Sequence, residues 1–176
     1  MLDRFLPMVK DPADYLTALS LFKTGPALST EEADKLLAVY AKYLPDSEDR
    51  DYIRLCLAAD ILPGRDIQER GAFAALGLSE AELDALFLCK NLVVEDVELS
   101  GSYAGDIVRR ALDESLMYPL RVMLARIALD RMVASEAYAS LRTQIAELAA
   151  LLTECGAEAM EKYGPLIREV KLKCRK

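Results

Sequence analysis

The chain has 176 residues, of which 53% are hydrophobic, and a formal net charge of −7. A chain of this length and composition can bury a single core, which excludes an intrinsically disordered polymer. The negative charge repels phosphate backbones and argues against nucleic-acid binding. Alanine and leucine dominate while β-branched residues are few, which favours helix over strand. We therefore predict one all-α domain over residues 1–176.

Helix start and stop signals follow one another closely in the first part of the chain. Residues 1–10 are predicted to form an N-terminal arm. A cap at Asp11 and a terminating glycine at Gly25 bound the first predicted helix. A capping box of Ser29 with Glu32 begins the second helix. Short connections between such helices predict helical hairpins.

The same kind of signal continues to residue 91. A third helix is predicted to stop near Pro63, and a short helix beginning at Asp66 ends at Gly77. A second capping box, Ser79 with Glu82, opens a helix to about Asn91. Four tyrosines of these early helices form a possible partner-binding or ligand-binding surface, although the edge of a helical core explains them equally well. They are Tyr15, Tyr40, Tyr43 and Tyr52.

Residues 92–105 change in character, with valines and acids followed by glycine and serine. We predict a loop here, the most mobile segment of the chain. Its acids, Glu95, Asp96 and Glu98, are candidates for contact with a cation or a basic partner. A helix beginning at Asp106 must be interrupted by Pro119. 

Residues 135–159 carry the longest periodic apolar pattern, and Ser135 is its predicted cap. Its spacing of three and four residues is that of an amphipathic helix. The pattern lasts about three heptads, which favours the central wall of an intramolecular bundle over a coiled coil. Gly164-Pro165 is predicted to end this region. The predicted fold is a bundle of about seven to eight helices with this long C-terminal helix at its centre.

Residues 161–176 form a predicted basic tail with six basic and two acidic residues, a net charge of +4 that leaves −11 for the remainder. A basic end complements a helix C-terminus, or it contacts an anionic partner such as the acidic body of another copy. The candidate contact residues are Lys171, Lys173 and Arg175. Cys174 lies between two of these bases, which could lower the pKa of its thiol.

The chain contains no histidine, which excludes serine–histidine and cysteine–histidine catalysis and histidine metal ligation. Its four cysteines, at 56, 89, 155 and 174, have no zinc-type spacing and suit a reducing compartment. The acidic run 46–51 does not fit a calcium loop. We assign no catalytic, cofactor-binding or metal-binding residue.

The leading hypothesis is a non-enzymatic cytoplasmic protein-interaction module, namely an adaptor, regulator or chaperone-like factor that binds another protein or itself. The alternatives are a small-molecule-binding or metal-binding helical domain and a carboxylate-dependent enzyme. No apolar run approaches the roughly 20 residues that a membrane span needs, and neither a membrane nor a nucleic acid is an expected partner.

Overall fold

The computed structural model describes Glu31, Lys35 and residues 50–176. These residues form six α-helices, three 3-10 helices and no strand, which confirms the all-α prediction. The α-helices are α1 (Arg50–Ile61), α2 (Glu80–Val94), α3 (Gly101–Leu112), α4 (Tyr118–Ala134), α5 (Arg142–Glu154) and α6 (Gly156–Cys174). The 3-10 helices are Leu62–Gly64, Ile67–Leu76 and Glu136–Leu141. Apart from Glu31 and Lys35 of the second predicted helix, which are helical, the first two predicted helices and the N-terminal arm lie outside the described residues.

The chain divides into two compact units, Met1–Leu78 and Ser79–Lys176. We call them the N-terminal unit and the C-terminal unit and describe each by itself. The single-domain arrangement of seven to eight helices stays a prediction.

In the N-terminal unit, α1 packs against the two 3-10 helices that follow it. The side chain of Arg54 on α1 forms hydrogen bonds with the end of the second 3-10 helix. Its Nε donates a 2.9 Å hydrogen bond to the carbonyl of Leu76, and its Nη2 donates to the carbonyl of Gly77. Gly77 has a φ of +61°, a left-handed conformation that glycine adopts without strain. The predicted stop at Gly77 is therefore confirmed, although the element before it is a 3-10 helix with a kink at Glu69.

The second capping box is confirmed in the C-terminal unit. Ser79 Oγ accepts from the backbone N–H of Glu82 at 3.2 Å, and the Glu82 carboxylate accepts from the N–H of Ser79 at 2.7 Å. These bonds satisfy backbone donors that the first turn of α2 leaves without a helical partner. The helix then runs to Val94, three residues beyond its predicted end.

The predicted loop over 92–105 is wrong at both ends, because only residues 95–100 connect α2 to α3. Ser100 caps α3, where its Oγ accepts from the backbone N–H of Tyr103 at 3.4 Å. The helix begins at Gly101, five residues before its predicted start at Asp106, and its first buried residue is Ala104. The predicted interruption is present but lies before Pro119, because α3 already ends at Leu112. The proline itself lies in the first turn of α4, where its missing N–H costs no helical hydrogen bond.

The centre of the C-terminal unit is α4, which corrects the prediction of a central C-terminal helix. This helix contacts every other α-helix of the unit. Apolar side chains are buried around most of its circumference, and Val122, Leu124 and Ala128 are each 0% exposed. A helix that is buried around most of its surface belongs in a core, and α4 is exposed only at Tyr118, Arg126, Val133 and Ala134.

The predicted helix over 135–159 is three elements instead of one. Ser135 does act as a cap, but it caps the 3-10 helix Glu136–Leu141. Leu141, with φ −101° and ψ 10°, then interrupts the helical conformation before α5 begins. Gly156 has a φ of +72°, which separates α5 from α6. Within the predicted wall only Leu141 and Leu148 are fully buried, whereas Tyr138 is 44% exposed.

Residues 161–176 are not a separate tail, because α6 continues to Cys174 with Pro165 inside it. Leu166, Ile167 and Val170 of this segment are buried. The helix packs against α2 and α4 through its buried side, and that packing offsets the one backbone donor that proline removes. The prediction that Gly164-Pro165 ends the helix is therefore wrong.

Candidate functional site

A basic groove runs between α4 and α6. The two helices lie side by side in the same direction, since the rings of Tyr118 and Tyr163 meet edge to face at 6.1 Å and Asp130 pairs with Lys171 further along both helices. The groove has a volume of about 450 Å³. Its lining consists of Arg126, Asp130, Met160, Gly164, Ile167, Arg168 and Lys171. Three cations and one anion thus surround an apolar floor.

The cations of this groove differ in how far they are already neutralised. Asp130 pairs with Lys171 and, at 3.4 Å, with Nε of Arg126 on the preceding turn of α4. Arg168 makes no ion pair within the described part of the chain, and its side chain is exposed. Gly164 lies beneath it, where an added Cβ would be 3.4 Å from the Arg168 guanidinium. The groove therefore keeps a net positive charge, with Arg168 as its available donor.

A second cavity, of about 490 Å³, lies where the 95–100 connection passes the end of α4. Three carboxylates line it, from Asp96, Glu98 and Glu136, against the single cation Arg131. Arg131 holds the connection in place through a 3.1 Å hydrogen bond from Nη2 to the carbonyl of Glu95 and a 3.6 Å ion pair with Asp96. This cavity is therefore net negative.

The two cavities belong to one continuous surface. A smaller cavity of about 130 Å³ shares Arg131 and Ala134 with the acidic cavity, and Asp130 and Lys171 with the groove. We call this surface the charged face. It has an acidic end (Asp96, Glu98, Glu136), a centre (Asp130, Arg131, Lys171, Arg175) and a basic end (Arg126, Arg168).

The charged face brings together two groups of residues that the sequence placed far apart. Asp96 and Glu98, from the predicted acidic loop, form its acidic end, and Glu95 is exposed beside them. Lys171 and Arg175 lie at its centre. 

Of the other predicted contact residues, Lys173 does not line this surface. Lys173 pairs with Glu169 at 2.9 Å on α6 itself. Tyr52 is half-buried on α1 in the N-terminal unit, and the remaining tyrosines, Tyr15, Tyr40 and Tyr43, lie outside the described residues.

Sequence reasoning missed five members of the charged face, namely Arg126, Asp130, Arg131, Glu136 and Arg168. One local signal was available, because Arg126 and Asp130 are spaced for an ion pair on one helix face. The basic stripe of α6 was also visible in the composition of residues 161–176. Nothing in the sequence showed that α4 would supply the opposite wall of the groove.

Burial raises the pKa of two cysteine thiols, Cys174 on α6 and Cys89 on α2. Burial raises the pKa of the Cys174 thiol above its usual value, and this outweighs the lowering by Lys90 and Lys173. Burial also raises the pKa of Cys89, which is fully buried on α2. The reactive-thiol interpretation of Cys174 is therefore not favoured, since the thiolate is the nucleophile.

Neither a metal-ligand cluster nor a membrane-spanning helix occurs in the described ranges. Residues 50–176, with Glu31 and Lys35, contain no group of three or more cysteine, aspartate or glutamate side chains arranged to hold a metal ion. In the same residues, no helix combines the length and the apolar character required to cross a bilayer. Comparison of the chain with protein-family models, with curated proteins and with solved structures gives no match.

Proposed function

We propose that this chain is a non-enzymatic protein-interaction module, an adaptor, regulator or chaperone-like factor, that binds carboxylate-rich protein surface through its charged face. The observation that carries this proposal is the open basic groove between α4 and α6, with Arg168 exposed at its rim. Guanidinium groups bind carboxylates in a planar, two-point geometry, which gives orientation as well as attraction.

Charge alone would give this face little affinity. An exposed ion pair contributes about 0.2–1 kcal/mol, so two or three pairs would hold a partner only weakly. Apolar anchors lie along the same stripes of both helices. Val133 follows Asp130 by one turn of α4 and is 52% exposed, and Leu172 follows Arg168 on α6 and is 65% exposed. Burying such a side chain fully contributes about 1.5–3 kcal/mol, so a partner that covers both anchors could bind stably.

Site-directed photo-crosslinking in the cells that produce the protein tests this proposal. A photo-reactive benzoylphenylalanine replaces Leu172, one turn beyond Arg168 of the charged face, or, as a control, Leu112 of α3, which is 42% exposed outside the face. We expect protein adducts from position 172 that map to acidic peptides. The double variant Arg126→Glu with Arg168→Glu should remove them, while Arg109→Glu with Arg142→Glu should not. An absence of protein adducts at 172, or equal adducts at 112, would contradict the proposal.

The volume of the groove also supports a second candidate, the binding of a small polycarboxylate or phosphate compound. About 450 Å³ falls within the usual range for ligand sites. Citrate and inorganic phosphate are suitable probes in thermal unfolding, because a ligand that binds only the folded state raises the melting temperature. A rise with the wild type that is absent in Arg168→Ala would favour this candidate. No rise with either probe would remove it.

A further inference from the structure

The arrangement of charge on the charged face has a specific consequence for the kind of partner it fits. The acidic end lies beside Ala134 and the basic end beside Arg126, both on α4. Eight residues of helix separate them, or about 12 Å at 1.5 Å per residue. This exceeds the screening length of about 8 Å at physiological ionic strength. Neither end therefore neutralises the other within one copy.

We propose that the charged face binds a second copy of this chain, with the acidic end of each copy placed on the basic end of the other. This inference rests on the proposed function, whose partner it names. A patch with opposite charges at its two ends is complementary to itself under a two-fold rotation about its middle. A two-fold interface is also the most common kind in soluble oligomers.

The middle of the face is suited to lie on such an axis. Three of its four charges are already paired, Asp130 with Lys171 and Arg131 with Asp96, so Arg175 is the one charge of the centre that adds repulsion when two copies meet. Val133 and Leu172, the two exposed apolar anchors, follow the turns of α4 and α6 that carry Asp130 and Arg168. In the pair of copies, these anchors would lose contact with water together.

The overall charge of the chain makes this arrangement specific. At −7 per copy, two chains repel each other in most orientations. The two-fold pairing brings the positive groove of each copy against Asp96 and Glu98 of the other and so replaces repulsion with attraction. Because these contacts are electrostatic, association should weaken as salt is added.

Sedimentation velocity of the full chain with paired charge reversals tests the proposal. The acidic variant is Asp96→Lys with Glu98→Lys, and the basic variant is Arg126→Glu with Arg168→Glu. All four side chains are exposed, and circular dichroism checks that the helices persist. The control is Arg109→Glu with Arg142→Glu, which makes the same charge change as the basic variant but outside the face.

We expect the wild type and the control to sediment as dimers at about 0.1 M salt, where the screening length is about 10 Å, and to dissociate at about 1 M, where it is about 3 Å. Each face variant alone should be monomeric. An equimolar mixture of the two should recover a dimer with one copy of each, since both reciprocal contacts again join opposite charges.

A wild type that is monomeric at low salt would overturn the proposal, as would face variants that dimerise like the wild type or a mixture that fails to recover the dimer. A monomer that still gives charge-dependent adducts with a different protein from position 172 would leave the interaction function standing with another partner. A monomer without adducts would contradict both.

Discussion

Two helices of the C-terminal unit, α4 and α5, differ in a way that relates sequence pattern to position. The α5 segment belongs to the longest three-four spacing of apolar residues in the sequence, yet Ile145 and Leu152 are only half-buried. In α4, apolar residues occur around most of the helix, so no single stripe stands out, and the helix is the core. A single apolar stripe is typical of a helix with one buried side, whereas α4 is buried around most of its surface and is exposed along only a narrow strip that includes Arg126 and Val133. The longest apolar stripe of this sequence therefore includes a helix with an exposed side, not the central helix of the unit.

The largest expected effect tests this difference with matched leucines. Leu124→Ala in α4 removes a side chain that is 0% exposed and should lower the free energy of unfolding by about 2–5 kcal/mol. Leu152→Ala in α5 makes the same chemical change at a half-buried position and should cost less than half as much. Chemical denaturation followed by circular dichroism measures both. Equal losses would show that α4 is not the centre.

The junction between α5 and α6 gives the next largest effect. Gly156 has a φ of +72°, and nothing lies within 4 Å of an added Cβ, so Gly156→Ala tests backbone conformation without a steric clash. An alanine in the left-handed conformation costs about 1–2 kcal/mol, so the free energy of unfolding should fall by that amount. Gly105→Ala is the control, because that glycine lies inside α3 with equally open space. It should leave stability unchanged or raise it by up to about 1 kcal/mol. A neutral Gly156→Ala would indicate one continuous helix.

A smaller effect concerns the contact between the start of α4 and that junction. Tyr118 donates a 3.4 Å hydrogen bond to the carbonyl of Cys155, and its interaction with Cys155, followed by burial, raises the pKa of the phenol from 10.0 to about 12. The folded state therefore favours the protonated phenol. Its contribution to stability is complete below pH 10 and is lost as the pH rises to about 12.

Tyr118→Phe should reduce this alkaline loss of stability. Thermal unfolding at several values between pH 9 and about 12 compares the two proteins, and the difference between them should shrink as the pH rises. Tyr138→Phe is a suitable control, since Tyr138 is similarly exposed at 44%. A constant difference across this range would contradict the role of the Tyr118 hydrogen bond.

The smallest effect on folding is expected at the groove that α4 shares with α6. Arg168→Ala removes an exposed side chain with no ion pair among the described residues, so the unfolding free energy should change by less than about 0.5 kcal/mol. The same variant should nevertheless weaken self-association. Denaturation and sedimentation of one preparation separate the two effects. A large loss of stability would mean that Arg168 supports the fold instead of the charged face.

Local signals in the sequence predicted local structure well. Ser79 with Glu82 and the stop at Gly77 were found because caps depend on residues three or four positions apart. The start of α3 was missed because Gly101 and Gly105 are typical of loops, although a cap at Ser100 is sufficient to begin a helix. Gly164-Pro165 predicted the end of a helix for a similar reason, because glycine followed by proline is typical of helix ends, yet both residues lie inside α6. The buried side of α6 keeps the helix intact there.

The charged face was only half predictable. Its acids and its α6 bases are visible in the sequence as local excesses of charge, which is why Asp96, Glu98, Lys171 and Arg175 are predicted contact residues. Their neighbours on α4 could not be found in the same way, since the pairs Asp130–Lys171 and Asp96–Arg131 join residues more than 30 positions apart. Such contacts depend on how helices pack, which periodicity alone does not determine.

Hydrogen exchange of the wild-type chain tests the central claim most directly, because it locates the partner on the surface. The measurement compares a concentrated sample at low salt with a dilute sample at high salt, peptide by peptide. The 95–100 connection should exchange more slowly in the associated sample, because its amides lie at the acidic end of the charged face. Residues 101–112 of α3 should not change. Protection confined to α3, or no change at 95–100, would contradict the account.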